Sequence, residues 1–325
     1  MEKKLLEILA CTKCKGQLEV STDAWPILES ELTCSQCNAV FPITNGIPRF
    51  VEPDNYASSF GYQWNLFRKE QIDTYNGTSL SADRLWSETA WDKEDLKDKW
   101  VLDAGCGAGR FLDAASKSEG QIVGIDISSA IDAAQENLSG RGNVHFVQAS
   151  IYELPFRDGM FDFCYCIGVI QHTPDREKSL ISIANMVKPD GKLAVTIYPR
   201  KIYTKLFSKY WVRPLTKRMK KESLLKVITT IMPVAFPVTD LLFRVPILGK
   251  GFMFLIPVAN YVHEKQLTRK QRYDWAILDT FDMLSPHYDE PMTHDEATEI
   301  LTEANIKDIS RPTTSGLNLA GIRKS

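Results

Sequence analysis

The sequence of 325 residues predicts an α/β fold built on a seven-stranded mixed sheet, and three observations support this prediction. From residue 100 onwards, short apolar segments alternate with segments of helical pattern, as in sheets covered by helices. A glycine-rich turn directly follows the first apolar strand, within 101–111. The last two strands, 306–311 and 317–323, close the sheet at the carboxyl terminus after a helix that begins at the N-cap Thr293.

The composition is that of a globular protein, with 44% hydrophobic and 25% charged residues. The formal net charge of -2 excludes a global attraction to nucleic acid, so any such attraction must be local. The first nine residues are too short and too acidic for a secretion signal. Together with seven cysteines, this favours a reducing compartment, and we expect a cytoplasmic protein.

Four cysteines form two pairs near the amino terminus, Cys11 with Cys14 and Cys34 with Cys37. Thiolates at this spacing suit a tetrahedral Zn²⁺ site, and four protein ligands leave no position open for water. The metal should therefore be structural, in a module over 1–53 that is too small to fold on its own core. Redox chemistry or nucleic-acid binding is the alternative role for these thiols.

The glycine-rich turn within 101–111 indicates which cofactor binds there. Gly105 and Gly107 let a ligand approach the backbone closely, because no Cβ stands in the way. Asp103, just before the turn, would repel a pyrophosphate but attract the ammonium of a methionine moiety. A dinucleotide fingerprint also needs Gly or Ala where this chain has Arg110. The turn therefore favours S-adenosylmethionine over NAD.

A second strand, 121–126, ends in Asp126, which is well placed to accept hydrogen bonds from two ribose hydroxyls. A third strand, 144–148, leads into the segment 149–156, and a fourth apolar strand follows within 159–168. This order repeats the alternation of a parallel sheet.

At this point the chain resembles the class I S-adenosylmethionine-dependent methyltransferases, whose fold is a Rossmann-like seven-stranded mixed sheet. Four pieces carry the resemblance, namely 101–111, 125–128, 154–156 with 161–162, and 167–174. The resemblance implies cofactor contacts for Asp103, Gly105, Gly107, Asp126, Ser150 and Ile151. In the family, the first three positions hold the methionine part, Asp126 holds the ribose, and the last two contact adenine. Many relatives carry Asp where this chain has Ser150.

The cysteine module resembles the small zinc ribbon found alone or fused to methyltransferases, including activator subunits for tRNA and protein methylation. Between it and the first core strand lies a lead-in, 54–99, which in similar enzymes closes over the cofactor. Tyr62, Gln63 and Trp64 are candidates for such a lid. Alternatively, the aromatic residues of this segment pack the ribbon against the core.

Methyl transfer from a sulfonium needs alignment and a dry site more than it needs a base. His172 follows the fourth strand at the ligand-binding edge and could take a proton from the acceptor. It could instead only cap the following turn. Tyr288, with Asp282 and His287, belongs to a run that approaches the substrate in similar enzymes, although a solvated connection explains that run nearly as well.

The core, 100–325, carries an insertion over 199–292 after its fifth strand, 192–198. Between 200 and 221 it has nine Lys or Arg and no Asp or Glu, and only three residues of 227–262 are charged. This pattern suits peripheral contact of 200–262 with an anionic membrane surface, or a cap over a lipophilic substrate. A plain helical cap and an RNA groove are the alternatives. A spanning helix is not expected, because the uncharged runs are short and broken by prolines.

We therefore expect a methyltransferase that acts on an oxygen, nitrogen or carbon of a small molecule that is hydrophobic, lipid-linked or glycosidic. It would work in the cytoplasm, peripheral to the inner face of a membrane. The alternative is an rRNA or tRNA methyltransferase that uses the zinc ribbon to recognise RNA, which the neutral charge balance disfavours. A scaffold protein with a vestigial site is a third reading, and the intact Asp103, glycines and Asp126 speak against it.

Overall fold

The computed structural model describes residues 1–52 and 55–325 and contains two sheets. The expected boundary between the ribbon and the lead-in, at residues 53 and 54, lies outside the described residues.

The amino-terminal module consists of one short helix and a four-stranded antiparallel sheet with the strands in chain order. Its elements are α1 (Lys3–Ile8), β1 (Leu18–Val20), β2 (Ser30–Cys34), β3 (Val40–Thr44) and β4 (Ile47–Pro48). Its apolar side chains, including Leu32 and Ile43, belong to the same hydrophobic cluster as Val147 of the central sheet and Phe156 of the segment 149–156. The module is therefore packed on the core of its own chain.

The lead-in forms three helices, α2 (Ser58–Leu66), α3 (Asp73–Asn76) and α4 (Leu80–Thr89). The central domain then alternates strands and helices. These elements are β5 (Trp100–Ala104), α5 (Arg110–Ala115), β6 (Gln121–Asp126), α6 (Ala130–Leu138), β7 (Val144–Gln148), β8 (Phe161–Ile167), α7 (Arg176–Met186) and β9 (Val187–Ile197).

The insertion adds α8 (Ser208–Thr216), α9 (Lys221–Leu242), α10 (Leu248–Leu255) and α11 (Arg269–Leu284), after which α12 (His294–Glu303), β10 (Ile306–Ser310) and β11 (Leu317–Arg323) complete the sheet. Thr293 caps α12, and its side chain and that of Glu296 form the predicted capping box.

The central sheet has the strand order β10-β11-β9-β8-β5-β6-β7, which confirms the predicted seven-stranded mixed sheet. Strands β5 to β9 are parallel, and β11 runs antiparallel between β9 and β10. The chain passes from β5 outwards to β7 and then returns to place β8 on the other side of β5. This reversal opens a crevice at the carboxyl ends of β5 and β8, where open α/β sheets bind ligands.

Two expectations about elements were wrong. Strand β9 begins at Val187 rather than Lys192. Its first half contains Pro189 and Gly191, which are unusual in a strand and lie where the pairing with β8 is irregular, so the sequence pattern does not indicate a strand there. Helix α9 continues through Pro233 and Pro237, which are exposed, so the carbonyl groups that lose their amide partners can reach water. By length and composition, α9 is long and apolar enough to cross a membrane.

Candidate functional site

A cavity of about 660 Å³ opens at the crevice between β5 and β8. Its floor comes from the turn after β5, the end of β6 and the turn after β8, and its walls come from the lead-in helices and from α11. The volume lies within the range of small-molecule sites. The crevice, the lead-in and the insertion therefore meet around one pocket.

The glycine turn lines one side of the cavity in a conformation that glycine alone accepts easily. Gly105 and Gly107 have φ values of 88° and 53°. A Cβ on Gly105 would lie 2.5 Å from the side chain of Val169, and one on Gly107 would lie 3.3 Å from Nε1 of Trp64. At Gly105 both conformation and space oppose a side chain, whereas at Gly107 a Cβ would be strained by the positive φ and tight against Trp64.

Asp103 is buried at the end of β5, with 1% of its surface exposed, and its Oδ2 atom has no hydrogen-bond partner. Burial raises the pKa of Asp103 well above its usual range, and the neighbouring Asp126 carboxylate raises it further. A positive group beside it would favour the ionised form. Asp103 is not among the described residues that line the cavity, so its contact with a methionine ammonium remains a prediction.

Asp126 lines the cavity at the end of β6. Its Oδ2 accepts from the amide of Gly107 at 3.0 Å, and its Oδ1 accepts from the amide and hydroxyl of Ser128 at 2.8 and 2.7 Å. These bonds fix the carboxylate and tie the glycine turn to β6. A carboxylate has about four acceptor sites, so capacity remains for a ribose hydroxyl.

Ala149 and Ile151 line the cavity on the side where the resemblance places adenine, whereas Ser150 is not among the described lining residues. The Ser150 hydroxyl accepts from the amide of Tyr152 at 3.2 Å, as in a local turn. Of the two predicted adenine contacts, the structure brings Ile151 to the pocket.

Helix α2 covers the cavity with one face. Phe60 and Trp64 line it, one helical turn apart, while Tyr62 packs against Phe281 with ring centroids 6.0 Å apart. Gln63 is fully buried and donates from Nε2 to Asp282 at 3.3 Å. Of three consecutive candidates, only Trp64 faces the ligand space, because consecutive helical residues point in different directions.

His172 lies in the turn after β8, lines the cavity and is 6% exposed. Its Nδ1 lies 2.9 Å from the backbone oxygen of Tyr288. A carbonyl oxygen only accepts, so in the neutral ring Nδ1 carries the proton and Nε2 carries the free lone pair. Nε2 is buried and has no partner among the described residues. The ring is held between Phe60 and Tyr198, at centroid distances of 5.1 and 5.5 Å.

Tyr288 thus reaches the site through its main chain. Its phenol ring packs against Tyr56 and His287, with centroids 5.8 and 4.6 Å away, and is not among the described cavity walls. The main-chain contact places Tyr288 in the role of orienting His172.

Three aspartates from α11 and the segment after it line the cavity, Asp279, Asp282 and Asp289, together with Glu264 of the insertion. Burial raises the pKa of Asp279 to about 7, and the nearby Asp282 carboxylate adds to this effect. Burial also raises the pKa of Asp282, opposed mainly by His172. Asp289 is neutralised by Lys209 at 2.7 Å. Burial thus raises the pKa of two carboxyl groups in the pocket, Asp279 and Asp282.

Arg110, which the sequence offered only as an argument against NAD, also lines the cavity. Its guanidinium donates to Gln71 at 2.9 Å, and Gln71 in turn donates to Asp279 at 3.2 Å. Burial lowers the pKa of Arg110 to about 10, so it stays charged near neutral pH. This chain of bonds connects the glycine turn, the lead-in and α11. No local pattern indicates it, since the partners are up to 208 positions apart.

The four predicted zinc ligands converge. The Sγ atoms of Cys11, Cys14, Cys34 and Cys37 all lie within 4.8 Å of one another. The contacts Cys11–Cys37 and Cys14–Cys34 measure 3.6 and 3.5 Å, close to the roughly 3.8 Å edge of a tetrahedral zinc–thiolate site. The thiols fit a closed structural Zn²⁺ site.

Comparison with known families divides the chain in the same way. The methyltransferase domain family matches residues 102–195, which contain the glycine turn, Asp126 and His172. The Trm112p-like protein family matches residues 2–46, which contain the four cysteines.

Two similar proteins are O-methyltransferases. The O-methyltransferase rstn1 of Aspergillus nomiae is 32% identical over 121 residues, which are 36% of this chain and 54% of that protein. The ubiquinone biosynthesis O-methyltransferase of Coxiella burnetii is 32% identical over 116 residues, 35% of this chain and 49% of that protein. The chain thus spans about half the length of these relatives.

Among solved structures, an S-adenosylmethionine-dependent methyltransferase from Aquifex aeolicus is 14% identical with a TM-score of 0.41, covering 81% of this chain and 96% of that chain. A chain from the complex of the Haloferax volcanii Trm112 methyltransferase activator with a candidate methyltransferase is 14% identical with a TM-score of 0.45, covering 85% of this chain and 100% of that one. Likenesses of this size say nothing about activity or partners.

Proposed function

Because this chain joins an S-adenosylmethionine-dependent methyltransferase domain to a Trm112p-like zinc-binding module, we propose that it methylates an oxygen of a small molecule, with His172 as the base. The observation that carries the proposal is the free, buried Nε2 of His172 at the cavity. Both relatives named above are O-methyltransferases, which supports an oxygen acceptor.

When bound, S-adenosylmethionine supplies a methyl group already activated by a positive sulfur. The protein's part is to align the acceptor and to receive its proton. As the acceptor oxygen gains the methyl group and loses its hydrogen, the proton passes to Nε2 of His172. The Tyr288 carbonyl keeps the ring in the receptive tautomer. The Asp282 side chain accepts a hydrogen bond from Gln63 and lines the same cavity as His172.

The walls of the pocket indicate the kind of acceptor. Aromatic rings from the lead-in, the end of β9 and the insertion give it apolar sides, through Tyr56, Phe60, Trp64, Tyr198, Tyr261 and Trp275. The carboxyl groups of Asp279 and Asp282 are able to accept hydrogen bonds from the hydroxyl groups of an acceptor. Together they support a small, partly hydrophobic acceptor that bears hydroxyls, including a lipid-linked or glycosidic one.

The alternative is an rRNA or tRNA methyltransferase, in which the zinc ribbon would recognise RNA. The Trm112p-like match keeps this alternative in view. The formal net charge of -2 and the apolar insertion oppose it. We also propose that the protein works in the cytoplasm.

The test compares His172→Gln with His294→Gln, an exposed histidine on α12, in transfer of label from S-adenosylmethionine. Small-molecule, lipid and total RNA pools are offered separately. Label should enter the lipid or small-molecule pool. His172→Gln should lower kcat about a hundredfold, while calorimetry with S-adenosylhomocysteine shows unchanged cofactor binding.

Label that enters RNA alone would refute the small-molecule acceptor. Full activity of His172→Gln would refute the base, even if the acceptor class is right. The His294→Gln control should behave like the wild-type protein in all three pools.

A further inference from the structure

The helical insertion presents a large apolar surface that none of the residues described in the structure covers. On α9, the residues Val227, Ile231, Val234, Val238 and Leu241 are all exposed, with Val234 and Leu241 at 69% and 71%. Their spacing of four and three positions places them on one face of the helix, about 21 Å long. This face is unlike that of a soluble helix, whose exposed side is usually polar.

The opposite side of α9 explains how the helix is held. Leu224, Ile228, Met232 and Phe236 are buried and form a cluster with α11. Helix α9 is therefore apolar on two sides, and only one of them serves the fold. A helix anchored in this way lies along the surface of the domain.

The neighbouring elements extend the exposed face. Trp211 and Leu215 on α8 are 61% and 71% exposed, and Leu248 and Leu255 on α10 are 62% and 55% exposed. Phe207, at the start of α8, contacts Phe254 of α10 with ring centroids 4.3 Å apart, and α10 packs on α9. The exposed side chains thus belong to helices that touch one another. We call the exposed apolar residues of α8, α9 and α10 the apolar face. Isolated exposed apolar residues are ordinary on a protein, whereas a patch of this kind marks an interaction site.

The charges around the apolar face have one sign. Residues 200–255 contain twelve Lys or Arg and two Asp or Glu, although the whole chain has 39 of the former and 41 of the latter. One of the two acids, Asp240, is engaged by Arg272 and Arg244. Within the described parts of the chain, no carboxylate lies within ion-pair distance of the exposed Lys217, Arg218 or Lys220. These cations are free to meet phosphates.

From this combination we infer that the apolar face is a docking surface for an anionic phospholipid membrane. Exposed Trp and aliphatic side chains enter the headgroup boundary of a bilayer, and the lysines beside them meet its phosphates. A nucleic acid fits the charges but leaves the aliphatic side chains in water. A second copy of the chain fits the aliphatic side chains but would bring together two strongly basic surfaces.

The surface is independent of the proposed acceptor, yet it lies next to the site. Lys209 of α8 and Tyr261, between α10 and α11, line the cavity. A membrane docked on the apolar face would therefore adjoin the wall of the pocket.

Flotation of the full-length protein with vesicles tests the inference. Wild-type protein should float with an equimolar mixture of phosphatidylcholine and phosphatidylglycerol at low salt, and not with phosphatidylcholine alone. The triple variant Lys217→Gln, Arg218→Gln, Lys220→Gln should lose about fivefold in partition for each charge. Salt should weaken binding of the wild-type protein.

Val234→Ser with Leu241→Ser should also reduce flotation, and neither variant should change the binding of S-adenosylhomocysteine. The matched controls are Lys3→Gln, Lys4→Gln, Lys324→Gln for charge, and Leu28→Ser with Val40→Ser for exposed apolar area on the ribbon. Both controls should float like the wild-type protein.

Absence of flotation at low salt would overturn the inference, as would equal losses in the controls. Vesicle-bound protein that resists extraction with alkaline carbonate would also overturn it, because α9 would then span the membrane. A solution dimer that Val234→Ser with Leu241→Ser separates would assign the face to a second copy instead.

Discussion

The Asp279 carboxyl shows how the site depends on single buried groups. It lies on α11, lines the cavity and accepts from Gln71, whose amide oxygen accepts in turn from Arg110. Its pKa is about 7, raised mainly by burial. A group of this kind can bind an acceptor hydroxyl in either protonation state, as acceptor or as donor. Its position could not be inferred from sequence, because its partners are far away along the chain.

Replacing Asp279 with Asn should make stability less dependent on pH. In the unfolded chain the aspartate ionises near 3.8, whereas in the folded protein it ionises near 7. Between these values the folded state binds the extra proton, so the wild-type protein loses stability as pH rises and levels off above 7. The free energy of unfolding of Asp279→Asn minus that of the wild-type protein should therefore increase by about 2 to 4 kcal/mol between pH 4 and pH 8.

Urea unfolding at pH 4, 6 and 8 measures this difference in the free energy of unfolding. Asp274→Asn, on the same helix but facing the solvent-exposed Lys270, is the matched control. An Asp279→Asn variant that loses stability relative to wild type as pH rises would contradict the assignment.

At the scale of elements, α2 lies over the cavity beside the glycine turn. Its Trp64 lies against Gly107, and its Phe60 contacts His172. From the sequence we predicted a lid in this segment at three consecutive residues, Tyr62, Gln63 and Trp64. In the structure the helix directs Phe60 and Trp64 together towards the cavity. Because residues four positions apart lie on the same face of a helix, this pair follows from the sequence as soon as the segment is known to be helical.

Trp64→Ala should weaken binding of S-adenosylhomocysteine about tenfold, because the indole closes the space above the glycine turn. Calorimetry measures the change. Leu66→Ala, on the same helix and 52% exposed, is the control and should bind like wild type. Equal binding by Trp64→Ala and wild type would mean that α2 only packs the lead-in against the core.

At the scale of the whole molecule, the amino-terminal module completes one edge of the central sheet. Arg49 pairs with Gln148 of β7, and the amide of Phe50 donates to the Gln148 carbonyl at 2.8 Å. Lys15, next to the second zinc ligand, donates to the carbonyls of Leu154 and Phe156 at 2.7 and 3.1 Å. The segment 149–156 that leads from the cofactor pocket is therefore braced by the zinc module.

Loss of zinc should destabilise residues outside the amino-terminal module as well as within it. In Cys37→Ser the metal content should fall, and amide hydrogen exchange should increase both in residues 8–50 and in residues 144–156, because the two share one cluster. Ser35→Ala, in the same turn, is the control and should keep its metal. Faster exchange confined to residues 8–50 would show that the module folds without supporting the sheet.

The sequence by itself determined what lies within one turn of the chain: the glycine loop, Asp126, the cysteine pairs and the capping box of α12. The residues that form each feature are only a few positions apart, so their spacing in the sequence is enough to predict the local geometry. The tertiary structure alone decided the acceptor pocket, since Gln63 meets Asp282 across 219 positions and His172 meets Tyr288 across 116. It also decided which side of α9 is left exposed, because a helix apolar on two sides shows its free face only after packing has used the other.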